Sequence, residues 1–228
     1  MKLNLPTILS FNGGYVDTAG FLALQGLFTA HVTGNFVTLG AAIAHGSSGI
    51  IAKLLALPIF CVTIVIVLYA MRHISHSPRR SLLTMLVLKF VFLTAGAACA
   101  IHYGSFIDSD GWPLILTGAL LIIAMAIQNA AHRIHLGSAP PSTLMTGTTT
   151  QIMIDLANLL RGASNEAPEV VKARLRRLTI AVVAFALGCG FAALFYIEFQ
   201  MWCFIVPPLS ALTGIAILMA ENQGPQTD

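Results

Sequence analysis

Long apolar runs, each about twenty residues, alternate along this chain with short polar breaks. Runs of that length match the hydrocarbon thickness of a bilayer, so each predicts a membrane-crossing helix. Six can be drawn, over residues 5–27, 50–71, 81–103, 112–131, 178–197 and 202–220. Two further apolar pieces, residues 34–45 and 147–160, follow the first and fourth runs. At about 1.5 Å per residue, each covers only about half of the hydrocarbon core. They predict short helices that begin inside the membrane.

The pattern occurs twice. GYVDTAGF around Asp17 precedes HVTGNFVTLGAAIAHG, and AIQNAAHRI around Asn129 precedes LMTGTTTQIMIDLANLL. Setting Asp17 against Asn129 brings Thr33-Gly34 within one residue of Thr146-Gly147. Residues 1–228 therefore read as one membrane domain, with repeat one over 1–104 and repeat two over 111–221. Three crossings per copy is odd, so the second copy enters from the opposite side. The predicted fold is an all-α polytopic membrane protein of six transmembrane helices plus two short re-entrant half-helices, an inverted 3+3 repeat. Interrupted helices in inverted repeats mark solute-conducting proteins, with the site near the repeat interface.

Composition agrees with the membrane reading. The 228 residues are 57% hydrophobic and 9% charged, and mean hydropathy is +0.83. Soluble domains carry about a quarter charged residues, so little is left for a soluble domain. A formal charge of +3, dispersed along the chain, excludes a nucleic-acid partner. Lys2 before an apolar stretch resembles a signal peptide, but Asn12, Gly13, Gly14 and Asp17 interrupt that stretch, so it reads as a retained first span.

Basic residues set the topology. Arg72, Arg79, Arg80, Arg133, Arg161, Lys172, Arg174, Arg176 and Arg177 share one side if both short pieces return to the side they left. That side is cytoplasmic by the charge rule, with Lys2 and both termini. Asp108, Asp110, Glu198 and a lone Lys53 then lie outside.

Asp17 is the sharpest chemical signal, because a carboxylate near mid-span needs a cavity or a partner. It reads as a solute ligand or proton carrier, and the plainer alternative is a hydrogen-bonded structural acid. Asn129, at the matching place, serves a solute or an interhelical bond, and Gln128 beside it faces elsewhere. Asp155 faces the pathway or the cytoplasmic mouth, with Arg161 and Arg133 as the expected ion-pair partners. Lys89 is expected to snorkel to the interface, with pairing to an intramembrane acid as the alternative. Thr33 and Thr146 would cap the buried starts of the short helices, where Gly34 and Gly147 admit a solute. Asn35 and Thr148 follow them, and Pro140-Pro141 suit an extended descent. His31, just before the first break, would line an outer vestibule and titrate near neutral pH.

His73/His76 and His132/His135 have helical spacing at span ends but no further ligands in register, so no metal or cofactor is expected. Cys61, Cys99, Cys189 and Cys203 stand singly, as packing residues do. Gly96, Gly188 and Gly190 predict close helix contacts.

GGYVDTAGF, HVTGNFVTLG, AIQNA and MTGTTTQIMIDL resemble the YoaK family of bacterial inner-membrane proteins, a domain of unknown function. The likeness covers nearly the whole chain and implies a six-span inner-membrane protein without supplying an activity. Thr148 departs from it, standing where Asn would match Asn35.

The expected function is a transporter or channel for a small polar, weakly acidic solute, passing between the repeats. Asp17, Thr33, Gly34, Asn35, Asn129, Thr146, Gly147 and Thr148 are its candidate binding residues. Asp17, Asp155 and His31 are candidates for proton coupling. The bilayer and the solute are the expected partners, and a homo-oligomer is compatible with the pattern. The rivals are a non-conducting partner or assembly factor and, with less in its favour, a membrane enzyme, for which no nucleophile–base pair or metal set stands out.

Overall fold

The computed structural model describes residues 4–46, 49–74, 77–162 and 166–221, so Lys2 and His76 lie outside the described residues. Among the described residues eight α-helices follow in order: α1 Leu5–Ala23, α2 Gly34–His45, α3 Ile50–Ile74, α4 Pro78–Tyr103, α5 Trp112–His135, α6 Met145–Arg161, α7 Pro168–Phe199 and α8 Val206–Ala220. A 3₁₀ segment, Gln200–Ile205, joins the last two, and no strand occurs among the described residues.

Local chemistry sets the ends. Proline sits in the first turn of α1, α4, α5, α7 and α8, where its missing N–H costs nothing. Asn4 caps α1 by accepting the Thr7 N–H at 3.0 Å. Both short helices, α2 and α6, end on a left-handed glycine, Gly46 and Gly162, each at φ 63°.

The helices alone account for a multi-pass membrane protein. By length and composition, Ile50–Ile74, Pro78–Tyr103, Trp112–His135 and the continuous stretch Pro168–Ala220 are apolar enough to cross a bilayer. Helix α1 is not among them; in its 19 residues it carries Ser10, Asn12 and Asp17. It stops at Ala23, short of the expected residue 27, because Gln25 and Gly26 take φ of 54° and 79° and turn the chain back. Helix α2 has the expected bounds. Helix α6 starts at Met145 and spans 17 residues, about 25 Å, more than half of a bilayer core. Helix α7 begins ten residues before the expected 178, its first turns carrying Lys172, Arg174, Arg176 and Arg177.

Contacts at the helix ends sort them into two faces. At one, Asn4, Ser138, Ala139, Pro140 and Arg177 line a shared cleft. There His135 Nε2 lies 3.1 Å from Ser81 Oγ, and Arg79 donates to the Leu218 carbonyl. At the other, Gln25 donates to the Phe106 carbonyl at 3.0 Å. The Asp110 carboxylate accepts from Gly49 N at 3.0 Å and Ile51 N at 2.9 Å. Gln25, Gly49 and Asp110 thus mark one end of the bundle, and Asn4, Ser138 and Arg177 the opposite one.

Packing partners recur across the two halves: α1 lies along α7 and α5 along α3, α8 packs on α1 and α4 on α5, and α2 rests on α3 and α6 on α7. Gly14 and Gly188 make the α1–α7 approach possible. A Cβ on Gly14 would collide with the Phe185 carbonyl, and one on Gly188 with the Phe11 carbonyl. Gly96 likewise admits Leu121, as its close-contact reading expects, whereas Gly190 faces no atom within 4 Å.

Candidate functional site

Asp17 is buried in the last turns of α1. The turn at Gln25-Gly26 sends the chain back along the helix, with the Thr29 methyl lying where a side chain on Gly20 would stand. The returning backbone presents its N–H groups to the carboxylate. Asp17 Oδ1 accepts from Thr29 N at 2.8 Å, Ala30 N at 2.7 Å and His31 N at 3.3 Å. Asp17 Oδ2 meets His31 Nδ1 at 2.7 Å. The His31 side chain remains 32% exposed, with its ring edge-on to Phe185 and Phe28. The hydrogen bond to Asp17, helped by the carboxylate's charge, raises the His31 pKa against an opposing effect of burial. The pair can hold and release a proton at a semi-exposed imidazole anchored by a buried acid.

The second half of the chain contains a similar link without charge. Asn129 Oδ1 accepts from Thr143 Oγ1 at 2.7 Å. Asn129 and Thr143 are fourteen residues apart, as are Asp17 and His31. Asn129 also donates to the Met125 carbonyl at 2.9 Å and borders a cleft with His132, Ser142, Phe60 and Ile64. Segment 142–143 reaches α1 itself, since Gly13 lies against the Ser142 carbonyl and the Thr143 methyl.

The Thr-Gly breaks behave differently from expectation. Thr33 stands at the N-cap of α2 but makes no side-chain cap bond. It is already in the right-handed helical region, φ −70° and ψ −23°, outside the extended geometry a capping hydroxyl needs. The first N–H groups of α2 go instead to carbonyls three residues back, at His31, Val32 and Thr33. Asn35 braces that start, accepting from Phe28 N and donating to Phe28 O, both at 2.8 Å. Thr146 lies inside α6, whose N-cap is Leu144 with no side-chain bond. Thr148 donates to the Leu144 carbonyl at 3.0 Å. Gly34 packs on the Phe28 ring, whereas nothing lies within 4 Å of where a Cβ on Gly147 would stand. Among the described residues α2 and α6 make no contact, so the structure does not gather Thr33-Gly34 and Thr146-Gly147 into one site.

Asp155 is fully buried, and its partner is neither Arg161 nor Arg133. Arg174 of α7 grips it with Nε and Nη2, both at 2.8 Å, and Gln151 donates at 2.8 Å. Arg174 also reaches Glu166 at 2.7 Å. The guanidinium bonds hold the Asp155 pKa below the ordinary carboxylate value. This group pins α6 to α7.

One expectation about a basic group fails. Lys89 does not reach the interface: it is wholly buried in α4, which packs against α5 and α8. His132 is buried too and contacts the Ala139 carbonyl at 3.3 Å. Sequence reasoning also missed Arg174, and a carboxylate in an amphipathic short helix was the signal that an arginine had to face it. Among the described residues, no three His, Cys, Asp or Glu side chains gather closely enough to hold a metal ion.

Known proteins give a consistent picture without an activity. The chain is 28% identical over 205 residues to the UPF0700 transmembrane protein YoaK of Bacillus subtilis (strain 168), covering 89% of this chain and 88% of that protein. No solved structure matches it. The family described as "Protein of unknown function (DUF1275)" matches residues 5–219. Spanning nearly its whole length, that match places this membrane protein in the DUF1275 family.

Proposed function

We propose that the protein is a proton-coupled transporter of a small polar, weakly acidic solute in the bacterial inner membrane. The observation that carries this reading is the buried Asp17 carboxylate joined to the semi-exposed His31 imidazole at 2.7 Å. An ionisable pair inside a membrane bundle is costly unless it serves a pathway. Its neutral counterpart, Asn129 with Thr143, makes the two halves equivalent in shape and unequal in charge. Of the two matching positions, only the first therefore carries a titratable pair, which confines the proton to one half of the protein.

The recurrence of packing partners supports an inverted 3+3 repeat of six crossings, with α2 and α6 returning to the face they left. On that reading α1 crosses despite its polar residues, because α7, α8 and α5 cover it. The face carrying Arg72, Arg79, Arg133 and the Lys172–Arg177 turns is cytoplasmic, with both termini. The protein is not an enzyme on this reading.

A second reading has one observation in its favour. Asp17 Oδ1 already accepts three backbone N–H groups, which suits a structural lock in a non-conducting partner or assembly factor. Uptake screening of small metabolites in proteoliposomes separates the two. Transport that Asp17→Asn abolishes while the protein stays folded supports the carrier, and no uptake of any solute supports the lock.

A further inference from the structure

Four buried side-chain polar atoms have no hydrogen-bond partner among the described residues: His132 Nδ1, one turn nearer the end of α5, and, in the middle of the bundle, Lys89 Nζ, Asn12 Oδ1 and Gln128 Oε1. The last three side chains are 0% exposed. They share one level. Helix α4 runs against α5 from the Ser81–His135 contact to the packing of Gly96 on Leu121. Lys89, midway between Ser81 and Gly96, falls level with Gln128. Helix α4 runs against α8 from the Arg79–Leu218 bond to the contact of Gly104 with Met201, which brings Lys89 level with the Ser210 turn. Asn12 is tied to that same turn, donating to the Pro207 carbonyl at 2.9 Å and to Ser210 Oγ. Gln128 is tied to α1 by its 2.9 Å bond to the Leu9 carbonyl.

This layer between α1, α4, α5 and α8 holds one amine and two acceptors. The four ion pairs among the described residues do not include Lys89. An uncompensated ammonium in a membrane core is costly, and each unpaired amide oxygen adds to the cost. One added group that answers all three atoms, and keeps Lys89 an ammonium, brings a single negative charge and a hydrogen-bond donor beside it. An inorganic monoanion answers Lys89 alone, and a neutral polyol answers the oxygens alone.

We propose that this layer is the solute site of the carrier described above, and that it takes a small hydroxy-carboxylate. The carboxylate sits on Lys89 Nζ, and the hydroxyl donates to Asn12 Oδ1 or Gln128 Oε1. The proposal rests on the transport reading and moves the solute site from the Thr-Gly breaks to the bundle centre. Asp17 and His31 then carry the proton and Lys89 holds the anion.

Thermal unfolding of the purified full-length protein, titrated with glycolate, acetate, chloride and neutral glycolamide, tests it. Glycolate should raise the midpoint most, acetate less, chloride weakly, and glycolamide not at all. Lys89→Met should weaken the apparent glycolate affinity by roughly tenfold or more, the size of a lost charge-assisted bond, while Lys89→Arg retains most of it. No glycolate shift, an equal shift in Lys89→Met, or chloride matching glycolate overturns the site. If Lys89→Met does not purify as a folded protein, the order of the four probes on the unmodified chain decides. Proton movement driven by glycolate in proteoliposomes separates the two claims. Binding without flux keeps the site and removes the carrier, whereas flux unaltered in Lys89→Met keeps the carrier and removes the site.

Discussion

Asp17 Oδ2 and His31 Nδ1 meet at 2.7 Å across a chain reversal of fourteen residues. The reversal exists because the same carboxylate's other oxygen gathers the N–H groups of residues 29–31. One side chain thus folds the entry to α2 and orients a titratable imidazole. Asp17→Asn keeps an oxygen for the backbone donors but loses the charge on His31. The variant should fold with a midpoint lower by several degrees, in keeping with about 1.5–3 kcal/mol for a hydrogen bond to a charged group. Circular dichroism melts check this. Loss of the folded helical signal at ordinary temperature would show that the carboxylate is indispensable to the fold.

The raised His31 pKa gives stability a pH dependence of defined sign. The folded value lies above the unfolded value near 6.5. The contribution is therefore fully present below about pH 6.5 and is lost as pH rises through the folded value. His31→Gln should flatten the melting profile in that window and leave it unchanged at higher pH. A profile that falls equally steeply in both proteins contradicts the assignment.

Asp155 has the opposite sign. Its depressed pKa contributes stability above the unfolded carboxylate value, lost as pH falls through the folded one. Asp155→Asn removes the bidentate grip of Arg174 and should loosen α6 from α7. Amide exchange over Met145–Arg161 should rise roughly tenfold while α1 and α5 hardly change. Equal exchange in both proteins means that the α6–α7 packing alone holds the short helix.

Glycine substitutions separate packing from open surface. Gly14→Ala and Gly188→Ala place a methyl against a backbone carbonyl and should cost about 1–3 kcal/mol or more. Gly190→Ala and Gly147→Ala meet nothing within 4 Å and should be neutral or slightly stabilising through helix propensity. Thermal midpoints of the four variants rank them directly.

Features with a local cause could be read from the sequence. The bounds of α2 follow from a Thr-Gly break and a terminating glycine, both written in adjacent residues. The depth of Asp17 follows from its place in an apolar run. Its partnership with His31 does not, because it depends on Gln25, a non-glycine residue, taking positive φ. The start of α7 was hidden because its first turns lie beyond the apolar run, where hydropathy reports charge and says nothing about helix. The burial of Lys89 is not legible in the sequence, because it depends on how α4 packs against its neighbours. The separate placement of the two Thr-Gly breaks is likewise tertiary, set by α2 resting on α3 and α6 on α7.

Topology is open to a direct check. Single cysteines replacing Ser77 and Glu169 should be labelled from one side only, and one replacing Ser109 from the other. The two end clusters of the bundle motivate this pattern, with Arg79, Ser81 and Arg177 at one face and Gly49 and Asp110 at the opposite one. Labelling of the Ser77 and Glu169 positions from different sides would remove the six-crossing arrangement.

The central claim is that the Asp17–His31 pair carries protons together with a solute, and solute-driven proton movement measures it most directly. Proteoliposomes with a pH-sensitive dye in the lumen are pulsed with individual small polar acids, and the lumenal pH is followed. The carrier predicts acidification by at least one solute with the unmodified protein, and its loss in both Asp17→Asn and His31→Gln. Absence of any solute-dependent pH change, or an undiminished change in both variants, contradicts the account.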